Sequence, residues 1–442
     1  MSSTQPITAT KEAAPDKGAK QIFRSLSNPN YRLYFAGQLV SMIGTWMQQL
    51  ALAWLTYRLT QSPFMLGAIT FASQGPSMLL GPFAGVIPDL LNRHKLLITT
   101  QCLLMLQSLI LAILVLDGHI QVWQIIALGA FSGIVNAVDM PTRQAFVVDM
   151  TEKKEDLGNV IALNSSIMNL TRLIGPALAG LVVAWWGEGT CFVLNSVSFV
   201  AVIGALLAIK LNKPAIKKKD LHVIAHIKEG FGYVAASQPI KFLLFSVALT
   251  SLSAVPYMVL MPVYVKNTFH GNAQLLGYMM AASSVGSLLA TFMLASRKSV
   301  VGLGRWLSGS LVALSASLFI FGSSQNLAIA LLAVALGGFG ITMQMAASNT
   351  MLQTIVDDDK RGRVMSLFTM AFLGVTPIGG LCAGYLADRF GCTLVITLGG
   401  VLALLLSIFT YLRMPKIREH IRPIYIERGL IGDAQKSQEA SN

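Results

Sequence analysis

The sequence predicts an all-α membrane protein with twelve transmembrane helices in two pseudo-symmetric six-helix bundles. Three observations carry that expectation. Of 442 residues, 54% are hydrophobic and 12% charged, where a soluble domain has about 25% charged. The apolar residues run in stretches of about 20, the length a helix needs to cross a bilayer. The second half also repeats part of the first. Ile174, Gly175, Ala179, Gly180 and Gly187 recur as Ile378, Gly379, Ala383, Gly384 and Gly391, a constant offset of 204. Gly158 and Val160 recur as Gly362 and Val364 at the same offset. Two related halves of six spans are a transporter signature, because one half can rock against the other around a shared site.

The elements follow in order. Residues 1–30 are polar and read as an N-terminal tail on the cytoplasmic side. Residues 31–211 form the N-terminal bundle, with spans near 33–57, 64–88, 95–116, 120–148, 157–186 and 189–211. Residues 212–238 are a cytoplasmic linker. Residues 239–414 form the C-terminal bundle, with spans near 239–265, 273–295, 301–322, 326–355, 362–387 and 391–413. Residues 415–442 are a second cytoplasmic tail. Connections as short as Gly187-Glu188-Gly189 and Ser323-Ser324-Gln325 force their flanking spans to run antiparallel.

Charge fixes the orientation. An even number of spans puts both termini on one side. With that side cytoplasmic, the opposite loops hold only Arg58, Lys266 and Arg389, and Arg172 lies inside a span. The other 29 of 33 Lys and Arg residues are then on the cytoplasmic side, Arg143 among them toward the inner end of its span, as the positive-inside rule requires. The net charge of +13 is therefore a topology signal, and no nucleic-acid partner is expected. Cys102, Cys191, Cys382 and Cys392 lie in or beside spans without C-x-x-C spacing and read as packing residues. In the linker, Lys213, Lys217, Lys218 and Lys219 precede Leu221, Ile224, Ile227, Phe231 and Val234 at helical spacing. That pattern predicts an amphipathic helix on the inner membrane surface. His222 and His226 sit one turn apart there and read as exposed side chains, so no metal site is expected.

The second span ends in Gly85-Val86-Ile87-Pro88-Asp89-Leu90-Leu91-Asn92-Arg93-His94-Lys95. With twelve spans and a repeat, this loop resembles the G-x-x-x-D-R-x-G-R-K motif of the major facilitator superfamily. Gly85, Asp89, Arg93 and Lys95 match; Leu90 replaces a basic residue and Asn92 a glycine. Gly85 is expected to permit close helix approach, Asp89 to pair or cap and latch one state, and Asn92 to tolerate a positive φ. A narrower resemblance runs over nearly the whole chain. It is carried by Asn28-Pro29-Asn30-Tyr31-Arg32, Gly37-Gln38-Leu39-Val40-Ser41, Leu59-Thr60-Gln61-Ser62-Pro63, Asn136-Ala137-Val138-Asp139-Met140-Pro141-Thr142-Arg143-Gln144 and Asn169-Leu170-Thr171-Arg172-Leu173-Ile174-Gly175-Pro176. Together these resemble the enterobactin-exporter-like (transmembrane secretion effector) branch. The resemblance implies the major facilitator fold and proton-driven export of a small molecule, with a siderophore as the expected cargo. The run Gly175-Pro176-x-x-Ala179-Gly180 also resembles the span-five motif of proton antiporters, with Ala179 in place of a glycine. Small residues there allow close packing.

Charges inside spans are costly and therefore functional candidates. Asp139 precedes Arg143 by four residues, so the two share a helix face and can pair, either as a gate fastener or around a proton-titrating Asp139. Burial disfavours a charged carboxylate and a basic neighbour favours it, so alternating access could switch between those environments. Arg172 shares a face with Ser165, Asn169 and Pro176 and has no obvious acidic partner. It is a candidate to bind an anionic substrate. Gln38, Ser41, Thr45, Gln48 and Gln49 form a polar stripe in span one, and Ser246, Thr250, Ser253 and Tyr257 form one in span seven. In the superfamily both spans line the central cavity, and interhelical hydrogen bonding is the other reading of such stripes. The predicted substrate surface is Gln48, Gln49, Asn169, Arg172, Thr250 and Tyr257, with Trp46, Trp54 and the Met-rich spans four and ten as an apolar wall.

The chain carries no G-x-x-x-x-G-K-[ST], no H-E-x-x-H and no carboxylate pair within a span. It reads as a transporter without a cofactor and not as an enzyme or ATPase. The expectation is a monomer of the bacterial inner membrane whose partners are a small-molecule substrate, protons and lipid. A multidrug efflux pump of the same fold is the alternative, and a proton-coupled importer a more distant one.

Overall fold

The structure, a computed structural model, describes residues 24–151, 156–209, 223–297 and 299–431. The first long helix, α1 (Pro29–Thr60), starts where Asn28 caps it. The Asn28 side-chain oxygen accepts from the Asn30 N–H at 2.9 Å and the Tyr31 N–H at 3.2 Å. Pro29 occupies the first turn, where no N–H is needed. Ser62 caps α2 (Pro63–Ala84) in the same way, through the Met65 N–H at 3.4 Å. The N-terminal bundle is completed by α3 (Arg93–Leu116), α4 (Val122–Asp149), α5 (Leu157–Trp186) and α6 (Glu188–Ala208). The C-terminal bundle holds α7 (Gln238–Asn267), α8 (Ala273–Ala295), α9 (Leu303–Ser323), α10 (Leu327–Ile355), α11 and α12 (Cys392–Glu427). α11 comes in two pieces, Arg361–Leu373 and Val375–Phe390, parted at Gly374.

Ten of these helices, α3 to α12 with α11 taken whole, are long and apolar enough to cross a membrane. In α1 and α2 polar residues dilute the pattern: the α1 stripe, and Ser73, Gln74 and Ser77 in α2. Both are nevertheless built into the bundle, α1 against α6 and α5, α2 against α4 and α11. One expected boundary moves. α12 runs without a break through Pro415 to Glu427, past the expected start of the tail at 415. Each proline removes only one helical hydrogen bond. In the linker, the described helix is Val223–Ala236; His222 and the lysines at 213 and 217–219 lie outside the described residues. This helix sits against the C-terminal bundle. Tyr233 and Val234 pack on its core, and Glu229 pairs with Lys360 at 2.6 Å and Arg363 at 2.7 Å. The hydrogen bond to Glu229 raises the Lys360 ammonium above the usual lysine range.

The repeat is visible in the packing. α1 packs on α6 as α7 packs on α12, α2 on α4 as α8 on α10, and α3 on α6 as α9 on α12. Gly187 and Gly391, one offset apart, take the same left-handed turn, with φ 81 and φ 87. A Cβ would meet nothing at either site, so backbone conformation and not space calls for glycine.

An even number of crossings brings the start of α1 and the end of α12 to one end of the bundle, here termed the basic end. The apolar core is divided there and undivided at the far end. One core holds Leu50, Trp54, Ala179 and Val183 of the first half together with Tyr257, Leu260 and Tyr264 of the second. At the basic end there are two separate cores. Tyr34, Leu97, Phe146 and Leu206 belong to one, and Leu243, Leu307, Met351 and Phe368 to the other. The two seams between halves are α2 with α11 and α5 with α8. Both close through small residues near the far end. A Cβ on Gly384 would meet the Pro63 carbonyl oxygen at 2.6 Å, and one on Gly277 would meet that of Pro176 at 2.6 Å. Among the described residues, the halves therefore share one apolar core at the far end and have separate cores at the basic end.

Candidate functional site

The divided core at the basic end points to a cleft between the halves, and polar residues on membrane helices stay exposed: Thr45 and Gln49 on α1, Asn136 on α4, Ser165 on α5, Gln353 on α10 and Thr369 on α11. Such groups suit water and not lipid, where spare donors and acceptors find no partner.

Asp139 is buried to 2% exposure beside the cleft and is held by three side chains. Arg143 contacts its Oδ2 through Nη2 at 2.5 Å and Nε at 3.2 Å. Thr100 Oγ1 and Gln101 Nε2, both on α3, donate to Oδ1 at 2.6 and 2.7 Å. The helix runs unbroken past Pro141, so the four-residue spacing keeps its face. Charge-assisted bonds of this kind are about twice as strong as neutral ones. Tyr34 on α1 lies within electrostatic reach of both charges. Around the pair, the buried Tyr34 Oη, Gln38 Nε2 and Gln101 Oε1 have no hydrogen-bond partner among the described residues. Thr100 and Gln101 escape the sequence reading because α3 carries no charge beyond its first turn to mark it as functional. A polar pair in mid-span was the available signal.

Arg172 sits where the two halves meet. Its guanidinium lies over the Trp46 ring, 5.9 Å from the centroid, and Tyr257 of the other half is within electrostatic reach. Its backbone carbonyl accepts from Ser284 Oγ of α8 at 3.0 Å. Among the described residues the guanidinium has no carboxylate and no hydrogen-bond partner. Asn169, one turn away, donates only to the Ser165 carbonyl of its own helix, at 3.1 Å. Its side chain is half-buried.

The other predicted substrate residues divide. Gln49 is exposed, while Gln48 is the hub of a network inside the first half. Gln48 donates to Gln107 Oε1 at 3.1 Å and accepts from Ser108 at 2.7 Å and Asn195 at 2.8 Å. Thr250 and Tyr257 do not face the cleft as expected. Thr250 is fully buried and donates to the Ser246 carbonyl of its own helix at 2.7 Å. Tyr257 is 2% exposed, with Oη 2.7 Å from Ser283 Oγ and its ring edge-on to Phe321. Ser246 accepts from Gln344 at 2.7 Å, so in this conformation the α7 stripe bonds helices together.

The loop after α2 also corrects an expectation. A Cβ on Gly85 would meet only the Gly81 carbonyl oxygen, at 3.6 Å, so no helix approaches closely there. Asn92 has an ordinary φ of −68 and serves instead as the cap of α3, accepting from the Lys95 N–H at 3.1 Å. Arg93 joins Asp89 at 2.6 Å and Asp149, at the end of α4, at 2.9 Å. All three belong to the first half, so in this conformation the cluster stiffens one bundle. The α5 motif packs on both sides. A Cβ on Gly175 would meet the Trp46 Cβ at 2.5 Å, and one on Gly180 the Ala273 carbonyl oxygen of the other half at 2.9 Å. Pro176 lies between them, buried.

Comparison with known proteins agrees with this architecture. The staphyloferrin A transporter of Staphylococcus aureus is 25% identical over 391 residues, 88% of this chain and 97% of that one. Macrolide efflux protein A of Streptococcus pyogenes is 22% identical, covering 86% of this chain and 95% of that one. Among solved structures, the nucleoside transporter NupG superposes with a TM-score of 0.69 at 11% identity, over 86% of this chain and 99% of that one. The family model for transmembrane secretion effectors matches residues 21–424. The chain thus belongs to the transmembrane secretion effector family of major facilitator transporters.

Proposed function

We propose that this transporter exports a small anionic molecule, a siderophore, across the bacterial inner membrane by proton antiport and alternating access. It acts as a monomer with both termini in the cytoplasm. The observation that carries the reading is the core that is single at the far end and double at the basic end. A cleft open at one end and sealed at the other is one of the two states alternating access requires. With the basic end cytoplasmic, as the distribution of Lys and Arg supports, the cleft faces the compartment from which an exporter loads.

In this reading Arg172 and Trp46 receive the cargo at the apex, flanked by Asn169 and Gln49. Asp139 takes and releases the proton. When the carboxylate is protonated, Arg143 loses its counter-charge and the helix faces around it can rearrange. Thr250 and Tyr257 join the cargo surface only after the halves re-pack. The siderophore assignment draws on the staphyloferrin A relative. A broader efflux role draws on the macrolide efflux relative and on exposed Met140, Met168 and Met370, which are adaptable apolar contacts. Deleting the gene and profiling the spent medium by mass spectrometry under iron limitation decides between them. Loss of one secreted iron chelator supports the siderophore assignment. An unchanged chelator profile with broad drug sensitivity supports the second reading.

A further inference from the structure

Between α7 and α12, at the basic end, the surface opens into a groove of about 670 Å3 lined only by those two helices. The helices are antiparallel, and each presents an aromatic ring one turn deeper in the membrane than a cation. On α7 these are Phe245 and Lys241, and on α12 Phe409 and Arg413. The two rings stand edge to face, 6.3 Å apart, and the Arg413 guanidinium lies 5.7 Å from the Phe409 centroid. Lys416 and His420 extend the basic line along α12 at about one-turn steps. No carboxylate lines the groove; Glu419, between the two, is not part of it. Lys241, Arg413 and Lys416 form no salt bridge among the described residues. Phe245 is half exposed, which leaves an apolar floor facing the groove.

A soluble anion would use the cations and leave the rings idle. A neutral lipid would use the rings and leave three cations unmatched. An amphiphile with an anionic head and hydrocarbon tails matches both, at the depth where head and tail divide. We propose that this groove binds an anionic phospholipid of the leaflet at the basic end. The phosphate meets Lys241, Arg413 and Lys416, and an acyl chain lies on Phe245 and Phe409.

The test uses the full chain in nanodiscs of phosphatidylcholine with a minor fraction of phosphatidylglycerol. Lipid retained after mild detergent extraction is measured by native mass spectrometry. Wild type is expected to retain phosphatidylglycerol over phosphatidylcholine, undisturbed by millimolar inorganic phosphate. Lys241→Gln with Arg413→Gln is expected to lose that preference by about tenfold or more. The charge-keeping pair Lys241→Arg with Arg413→Lys controls for folding and is expected to retain it. Equal retention in the neutralised variant overturns the proposal. So does loss in the charge-keeping pair, or displacement by free phosphate, which would mark a site for the phosphate group alone.

Discussion

Asn267 Nδ2 donates to Tyr57 Oη at 2.8 Å, and the bond joins the last turn of α7 to the last turn of α1, one from each half. Nearby, Ser62 Oγ donates to Asp388 Oδ1 at 3.2 Å across the α2–α11 seam. These polar ties sit over the shared core at the far end, so in the proposed alternating-access cycle they break when that end opens. Cross-linking Ser62→Cys to Asp388→Cys with a short bifunctional thiol reagent, in a chain whose four native cysteines are replaced, is expected to hold the far end shut. Transport should fall to background while cargo still binds from the basic end. Full transport by the cross-linked protein would show that this seam does not open.

The α5–α8 seam offers the opposite trap. A Cβ on Gly180 would meet the Ala273 carbonyl oxygen and the Gln274 backbone at about 3 Å, closer than side chains tolerate without a backbone shift. Gly180→Val should therefore disfavour the sealed far end by about 1–3 kcal/mol. Thiol labelling of a cysteine placed at Gln274 from the far side should rise relative to the parent. Unchanged labelling would mean that the seam absorbs the extra carbons.

The fold was legible in the sequence because the signals that specify it are local and repeated: spans of membrane length, short links and an offset that places Gly187 and Gly391 in the same turn. The Asp139–Arg143 pair was legible for the same reason, since four residues on one helix fix a face. What the sequence did not reveal depends on which helices meet. Thr100 and Gln101 approach Asp139 only because α3 packs on α4. Gln48 read as a cavity residue and instead gathers Gln107, Ser108 and Asn195 from α3 and α6. Thr250 and Tyr257 lie on a polar stripe whose period is helical whether it faces water or another helix, so period alone could not choose. The motif around Gly85 identifies the loop but not which helices pack near it, and here a Cβ would meet only the Gly81 carbonyl oxygen.

Asp139→Asn tests the proton role. Asparagine keeps an acceptor for Thr100 and Gln101 at Oδ1, but its NH2 cannot accept from Arg143 and it cannot take up or release a proton. Export driven by a pH gradient should fall to background in membrane vesicles, while exchange of labelled for unlabelled cargo persists. Thr100→Val removes one bond to the carboxylate and leaves its charge. It is expected to shift the pH profile of transport without abolishing it. Gradient-driven export at the parent rate in Asp139→Asn would remove Asp139 from the coupling mechanism.

Arg172 is the sharpest test of the cargo site. Its guanidinium has an aromatic face on one side and, among the described residues, no carboxylate on the other, so an anionic cargo would supply the missing partner. Removing a hydrogen bond to a charged group costs about 1.5–3 kcal/mol, roughly ten- to a hundredfold in affinity. Arg172→Ala should show that loss for an anionic cargo and little change for a neutral one, measured by binding to the detergent-solubilised protein. Arg172→Lys should recover only part of it, because an ammonium stacks less well on Trp46 and cannot make a bidentate fork. Trp46→Leu should then weaken binding in the parent more than in Arg172→Ala, since ring and cation act as one surface. Equal effects of Trp46→Leu in both backgrounds would separate them, and parental affinity in Arg172→Ala would move the anion site elsewhere in the cleft.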